Sequence, residues 1–136
     1  MIKEIVKDTF FLSRKSEPAT INDAYIIDDL LDTLTFHKER CVGIAANMLG
    51  YLKTMMVVND NGKYIVLINP VVLKADGLYK TQEGCLTHIG EREVQRYRKI
   101  KVEYLDEKYK KKIKTYEGYT AQIIQHELDH FEGKLI

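Results

Sequence analysis

The sequence predicts an α+β fold in which antiparallel strands lie between an N-terminal amphipathic helix and a C-terminal helix. Three observations predict it: a helical period near the start, short apolar runs split by turn signals in the middle, and a return to helical period after Gly118. Helix, strands and helix succeed one another without repeated strand–helix units, which argues against a doubly wound sheet. At 136 residues the chain suits one domain, 1–136, and can bury a core without disulfide or metal staples.

Residues 1–19 read as an irregular arm ending at Glu17-Pro18-Ala19. Thr20, three residues before Asp23, is a helix start signal. Ile21, Ala24, Ile27, Leu31 and Leu34 recur every three or four residues, with Ile26 and Leu30 widening the stripe and Asp28, Asp29 and Asp32 mostly facing away. This predicts an amphipathic helix over 20–36. The runs Met55–Val58 and Tyr64–Ile68 flank Asn59-Asp60-Asn61-Gly62, whose Asn-Gly pair is a hairpin signal. Asn69-Pro70 is expected to end the second strand, and Val71-Val72-Leu73 to start another. Ile100, Val102 and Tyr104 alternate with Lys101 and Glu103, as a half-buried strand does, with a partner near Ile113–Tyr116 beyond a turn at Asp106-Glu107-Lys108. Ile123, Ile124, Leu128 and Phe131 give the last helix its apolar positions, and Gly133 its stop.

Composition narrows the class. Twenty-one basic and 20 acidic residues leave a net charge of +1, without the basic excess of a dedicated DNA binder. No apolar run approaches the roughly 20 residues that span a bilayer, and Met1–Asp8 is interrupted by acids, unlike a signal peptide. Two cysteines, Cys41 and Cys85, are too few for a disulfide scaffold, so a cytoplasmic protein is expected. Lysines of the run Lys108–Lys114 read as protection of a solvated hairpin edge rather than as an RNA-contacting surface.

The chemistry concentrates in Gln125-His126-Glu127-Leu128-Asp129-His130. Two histidines four apart share a helical face and can reach one metal ion, and Glu127 beside them can hold or deprotonate a water on that metal. The C-terminal helix is therefore expected to be a metal-binding HExxH helix with the strands packed around it. An open catalytic site usually has three protein ligands plus water. Cys85, in Glu83-Gly84-Cys85-Leu86-Thr87, is favoured as the third, with Cys41, His88, His37 and assorted carboxylates also open.

Three ordered blocks together resemble the peptide deformylase family over essentially the whole chain. Cys41-Val42-Gly43-Ile44-Ala45-Ala46-Asn47-Met48 resembles its G-φ-G-φ-A-A-x-Q, with φ apolar; Glu83-Gly84-Cys85-Leu86-Thr87 resembles E-G-C-L-S; and Gln125–His130 resembles Q-H-E-x-D-H. The resemblance implies a hydrolase removing the formyl group from the N-terminal formylmethionine of new polypeptides, by attack of a metal-bound water assisted by Glu127. It implies Cys85, His126 and His130 as ligands of one divalent metal, iron(II) natively, with zinc a common occupant; thiolate and imidazole donors also suit nickel or cobalt. It further implies the Leu86 N–H as an oxyanion donor. Val42, Gly43, Glu83 and Gly84 become edges for an extended substrate, and Ile123 a wall of the methionine pocket. Arg96 resembles an arginine pairing near the Glu83 position. The partner implied is the nascent formylated polypeptide, met at the ribosome.

The resemblance also has departures. Met48 stands at a catalytic position where the family has glutamine, whose amide donates to the formyl oxygen; methionine has no donor. Losing one such donor typically costs about 10²–10³ in rate. Cys41 replaces a glycine, and the C-terminal segment after His130 is shorter than in many relatives. These departures leave a second expectation: a deformylase-like metalloprotein with an altered substrate or little turnover. A closed, four-ligand zinc module is a third class, to be recognised by four protein ligands.

Overall fold

The computed structural model describes residues 1–87 and 89–136, so His88, weighed above as a ligand, lies outside the described residues. In chain order the elements are α1 (Thr9–Leu12), α2 (Tyr25–Phe36), β1 (Gly43–Ala45), β2 (Met55–Asp60), β3 (Lys63–Gly84), β4 (Glu91–Leu105), β5 (Lys111–Glu117) and α3 (Gly118–Phe131), with 3₁₀ turns at Ile21–Asp23 and Ala46–Leu49. The α+β expectation holds. The strands form one sheet in the order β1-β2-β3-β4-β5, every neighbouring pair antiparallel. No helix among the described residues is long and apolar enough to cross a membrane.

Helix α2 buries Ile26, Ile27, Leu30 and Leu34 of the expected stripe, while Leu31, and Ala24 just before the helix, are half-buried. It starts later than expected, because Thr20 and Asp23 cap a 3₁₀ turn that leaves Ile21 exposed instead of facing the core. The arm is not wholly irregular either. Asp8 caps the four-residue α1, accepting from the Phe10 N–H at 2.9 Å, and one turn is too short to leave a period in sequence.

The Asn-Gly hairpin forms as read, with Asn61 and Gly62 at φ 53° and 97° and Asp60 opposite Lys63. Pro70 does not end the strand. Instead, β3 runs on for 22 residues through an irregularity between Ile68 and Val71. Pairing with β2 stops at Ile68, so the missing N–H of Pro70 breaks no ladder there. Asn69, at φ 50°, anchors the kink: its Oδ1 accepts from the Ala19 N–H at 2.8 Å and the Thr54 hydroxyl at 2.6 Å. Likewise β4 begins at Glu91, well before the expected Ile100. From Glu91 to Lys99 most of its residues are exposed, so no apolar alternation marked it.

Helix α3 lies against the sheet, burying Ala121, Ile123, Ile124 and Phe131 among apolar neighbours. The Gln125 amide ties it to β4, accepting from the Tyr97 N–H at 2.7 Å and donating to the Tyr97 carbonyl at 2.8 Å. At its end the Gly133 and Lys134 N–H groups bond back to His130 and Asp129 carbonyls, with Gly133 at φ 78°. That is the glycine stop expected, in Schellman form. Sheet and helix together bring Gly84–Leu86, at the end of β3, against the polar face of α3.

Candidate active site

Cys85, His126 and His130 meet at the end of β3. Their ligand atoms all lie within 4.8 Å of one another, with His126 Nε2 and His130 Nε2 at 3.1 Å and Cys85 Sγ at 3.3 Å from His130 Nε2. The Thr87 hydroxyl donates to Cys85 Sγ at 3.3 Å. Cys41 and His37 are not in this group among the described residues.

Behind His126 stands a buried ionic network. Glu83 Oε1 lies 2.8 Å from His126 Nδ1, so the Nδ1–H donates to the carboxylate and Nε2 is the ring nitrogen turned to the cluster. Arg96, 4% exposed, holds both Glu83 oxygens at 2.7 and 3.0 Å and Asp129 Oδ2 at 2.8 Å. Gln122 Nε2 donates to Glu83 Oε2 at 2.9 Å. Burial alone would raise the Glu83 carboxyl, but its bonds from His126, Arg96 and Gln122 outweigh burial and hold it at about 2. The expected pairing of Arg96 with Glu83 is thus present.

Charge and donor type together test whether a metal suits the site. One sulfur and two imidazole nitrogens converge, a soft-to-borderline donor set that Fe(II), Zn, Ni or Co accept. Three lone-pair donors so close favour positive charge between them. Burial lowers His126, yet Cys85 and Glu83 outweigh it and lift the imidazole to about 10, a preference a cation satisfies as a proton does. Glu127 is 3% exposed and its Oε1 is buried without a hydrogen-bond partner, beside the cluster. Burial raises that carboxyl to about 7. An orphaned carboxylate oxygen next to three converging donors fits a ligand water on a metal. The three-residue cluster also differs from the closed four-ligand module weighed above.

A cleft of about 490 Å³ opens onto this group between β1 and the end of β3. Val42, Gly43, Glu83, Gly84 and Ile123, the expected substrate-side residues, line it together with Leu86, the expected oxyanion donor. Gly43 touches the floor: a Cβ there would stand 2.6 Å from Ile123 Cγ2 and 3.1 Å from Glu127 Oε2. Gly84 is different, since a Cβ would meet its own chain only at 3.6 Å or more. Cys41 also lines the cleft, with its thiol donating to the Gly43 carbonyl at 2.9 Å. Burial, with Glu127 adding to it, pushes that thiol up to about 12, so it stays protonated.

Met48 is elsewhere. It is 1% exposed, belongs to the apolar core, and its sulfur takes the Ala45 N–H at 3.5 Å; it is not among the residues lining the cleft. Its neighbour Asn47 turns away as well, donating to the His130 carbonyl at 3.0 Å. Sequence reasoning assigned no role to Gln122, Asp129 or Asn47. The first two needed the pairing of β3, β4 and α3 to be seen, and Asn47 needed the approach of the Ala46–Leu49 turn to the end of α3.

Comparison with known proteins agrees over the same span. The family described as polypeptide deformylase matches residues 2–136. A peptide deformylase of Clostridium beijerinckii is 53% identical over 136 residues, all of both chains. One of Aquifex aeolicus is 35% identical across 98% of this chain and 84% of its own. Among solved structures, a class I type b peptide deformylase from Acinetobacter baumannii superposes with a TM-score of 0.90 at 26% identity, covering 99% of this chain and 96% of its own. A Legionella pneumophila peptide deformylase gives 0.89 at 31% identity, over 99% and 83%. On the family match and the whole-length identity, the chain belongs to the polypeptide deformylase family, metal-dependent enzymes that remove the N-formyl group from nascent chains.

Proposed function

We propose that this cleft hydrolyses the N-formyl amide of nascent formylmethionyl polypeptides, with Cys85, His126 and His130 holding one divalent metal, iron(II) in the cell. The observation that carries the reading is the convergence of those three donors beside a buried carboxylate whose Oε1 has no partner. When bound, such a metal polarises the formyl carbonyl and makes water acidic enough to ionise near neutral pH.

The residues of the chain do the rest. Glu127, buried beside the cluster, takes a proton from the attacking water at Oε1 and returns it to the leaving amine. Its carboxylate is the reason the site suits hydrolysis rather than structural metal binding. Glu83 fixes the His126 ring through Nδ1, and Arg96 holds Glu83. The Leu86 N–H donates to the oxygen on which charge develops. Val42 and Gly43 on one side, Glu83 and Gly84 on the other, grip an extended peptide, and the side-chain room at Gly84 suits a substrate backbone passing close. Ile123 walls the pocket for the methionine side chain. Met48 supplies no donor, so among the chain's own groups the oxyanion falls to the Leu86 N–H. The partner is the nascent chain, engaged at the ribosome in the cytoplasm.

The test is formate release from a formyl-Met peptide by protein loaded with Fe(II) or Ni(II), alongside metal content. Release with one metal per chain is expected. Full metal occupancy with no release from any formyl peptide would sink the substrate assignment.

A further inference from the structure

Among the described residues the cleft carries one cation that neither its fold nor its chemistry uses. Glu83 is committed to Arg96, His126 and Gln122, and Glu127 is buried at the floor. Glu91 stands on the β4 lip. Arg40 lines the opposite lip, exposed, immediately before Cys41-Val42-Gly43. Among the described residues its guanidinium has no ion-pair or hydrogen-bond partner, whereas the chain's buried Arg96 is bonded through all three nitrogens. Arg40 also borders the larger cleft behind Cys85, where Lys3 and Lys7 balance Glu4 and Asp8, so no acidic excess draws it away.

Position sets what Arg40 can reach. Gly43 is beside Glu127, its Cβ direction 3.1 Å from Oε2, so Gly43 marks the reacting end of the cleft. Arg40 is three residues back, which keeps its backbone within about 10 Å of Gly43, and it lines the same cleft. An extended peptide covers that span in two or three residues. Resting on the reading of the cleft as a formyl-peptide site, we infer that Arg40 selects substrates with an acidic side chain at the second or third residue. A guanidinium suits this role because it stays charged and can grip a carboxylate with two donors. The geometry makes it a specificity residue and gives it no part in bond breaking.

The experiment uses nickel-loaded protein and two peptide series, formyl-Met-X-Ala-Ser and formyl-Met-Ala-X-Ser, with X as Asp, Asn or Lys. In one series kcat/KM is expected to favour Asp over Lys by about threefold to fivefold, the scale of an exposed charge pair. The difference should lie in KM and shrink in 0.5 M salt, as screening requires. Arg40→Gln flattens the ratio and Arg40→Glu inverts it. Flat ratios in both series, or a ratio that Arg40→Gln leaves intact, would overturn the inference. Calorimetric affinities of the deformylated Met-X-Ala-Ser and Met-Ala-X-Ser products provide a readout without turnover. If no peptide releases formate, the hydrolytic reading falls, and equal product affinities for Asp and Lys then overturn Arg40 separately.

Discussion

The two walls of the cleft are built on different principles. The wall formed by the end of β3 and helix α3 is polar, buried and cross-linked: Glu83, Arg96, Asp129, Gln122 and His126 share one hydrogen-bonded network. The wall formed by β1 is backbone and hydrocarbon, with Val42 and Gly43 at the cleft and Ile44, Ala45 and Met48 buried in the core behind them. In a network each member is held by its partners, and removing one strands a buried charge. In an apolar wall a substitution changes packing locally and is absorbed more cheaply. Cys41 and Met48, the two departures from the motif, both lie on the apolar side, Cys41 at the cleft and Met48 in the core behind it.

The largest expected effect is at the carboxylate next to the network but not part of it. Glu127→Ala should keep its metal and fold yet lose at least about 10²–10⁴ of turnover, the usual worth of a positioned acid–base group. Metal content and formate release, measured on the same sample, check it. Activity persisting near the parent level would remove Glu127 from the mechanism.

Next come the members of the network. Arg96→Ala strips Glu83 and Asp129 of their shared guanidinium, leaving Glu83 buried with only His126 and Gln122, and should destabilise the protein by about 3–5 kcal/mol. Denaturant titration reads this directly. Glu83→Gln should also weaken metal binding, by the 10- to 100-fold typical of a lost carboxylate behind a ligating histidine. The pH dependence has a definite sign. Glu83 is held at about 2 in the folded protein against an ordinary 4.5, so its contribution is full above pH about 4.5 and lost as pH falls towards 2. The stability gap between parent and Glu83→Gln should therefore close across that window, and a gap that stays constant would contradict the network's charge state.

How much of this contrast could be read from the chain alone follows from range. His126, Glu127 and His130 are legible because one helical period places them, and Cys85 because a short motif frames it. Arg96, 13 residues from Glu83, was legible only by resemblance, since β4 there carries charge on both faces and shows no alternation. Pro70 misled because a strand can pass a proline where pairing has already stopped, and that depends on where β2 ends. Position 48 was legible as a departure from the motif, but its burial away from the cleft wall required the turn at Ala46–Leu49 to be built.

That burial makes the core behind the β1 wall testable. Met48→Gln restores the family residue, yet here it would place an amide in an apolar core. Stability should fall by about 1–3 kcal/mol for the poorly satisfied polar group. Formate release should change by less than about tenfold. A rise of a hundredfold, the scale of a regained oxyanion donor, would show that the side chain at 48 does reach the formyl oxygen.

Cys41 offers the smallest effect and the sharpest probe of the same wall. Its thiol is protonated, half-buried, and gives one weak bond to the Gly43 carbonyl. Cys41→Ala removes that bond and a small apolar contact, and should cost about 1 kcal/mol or less. Because Gly43 abuts Glu127, any loosening of its carbonyl would be felt as a rise in KM for the formyl peptide with kcat nearly unchanged. A large fall in kcat would instead mean that the thiol itself acts on the reacting atoms, and the β1 wall would then have to be counted with the chemistry rather than with the grip on the substrate.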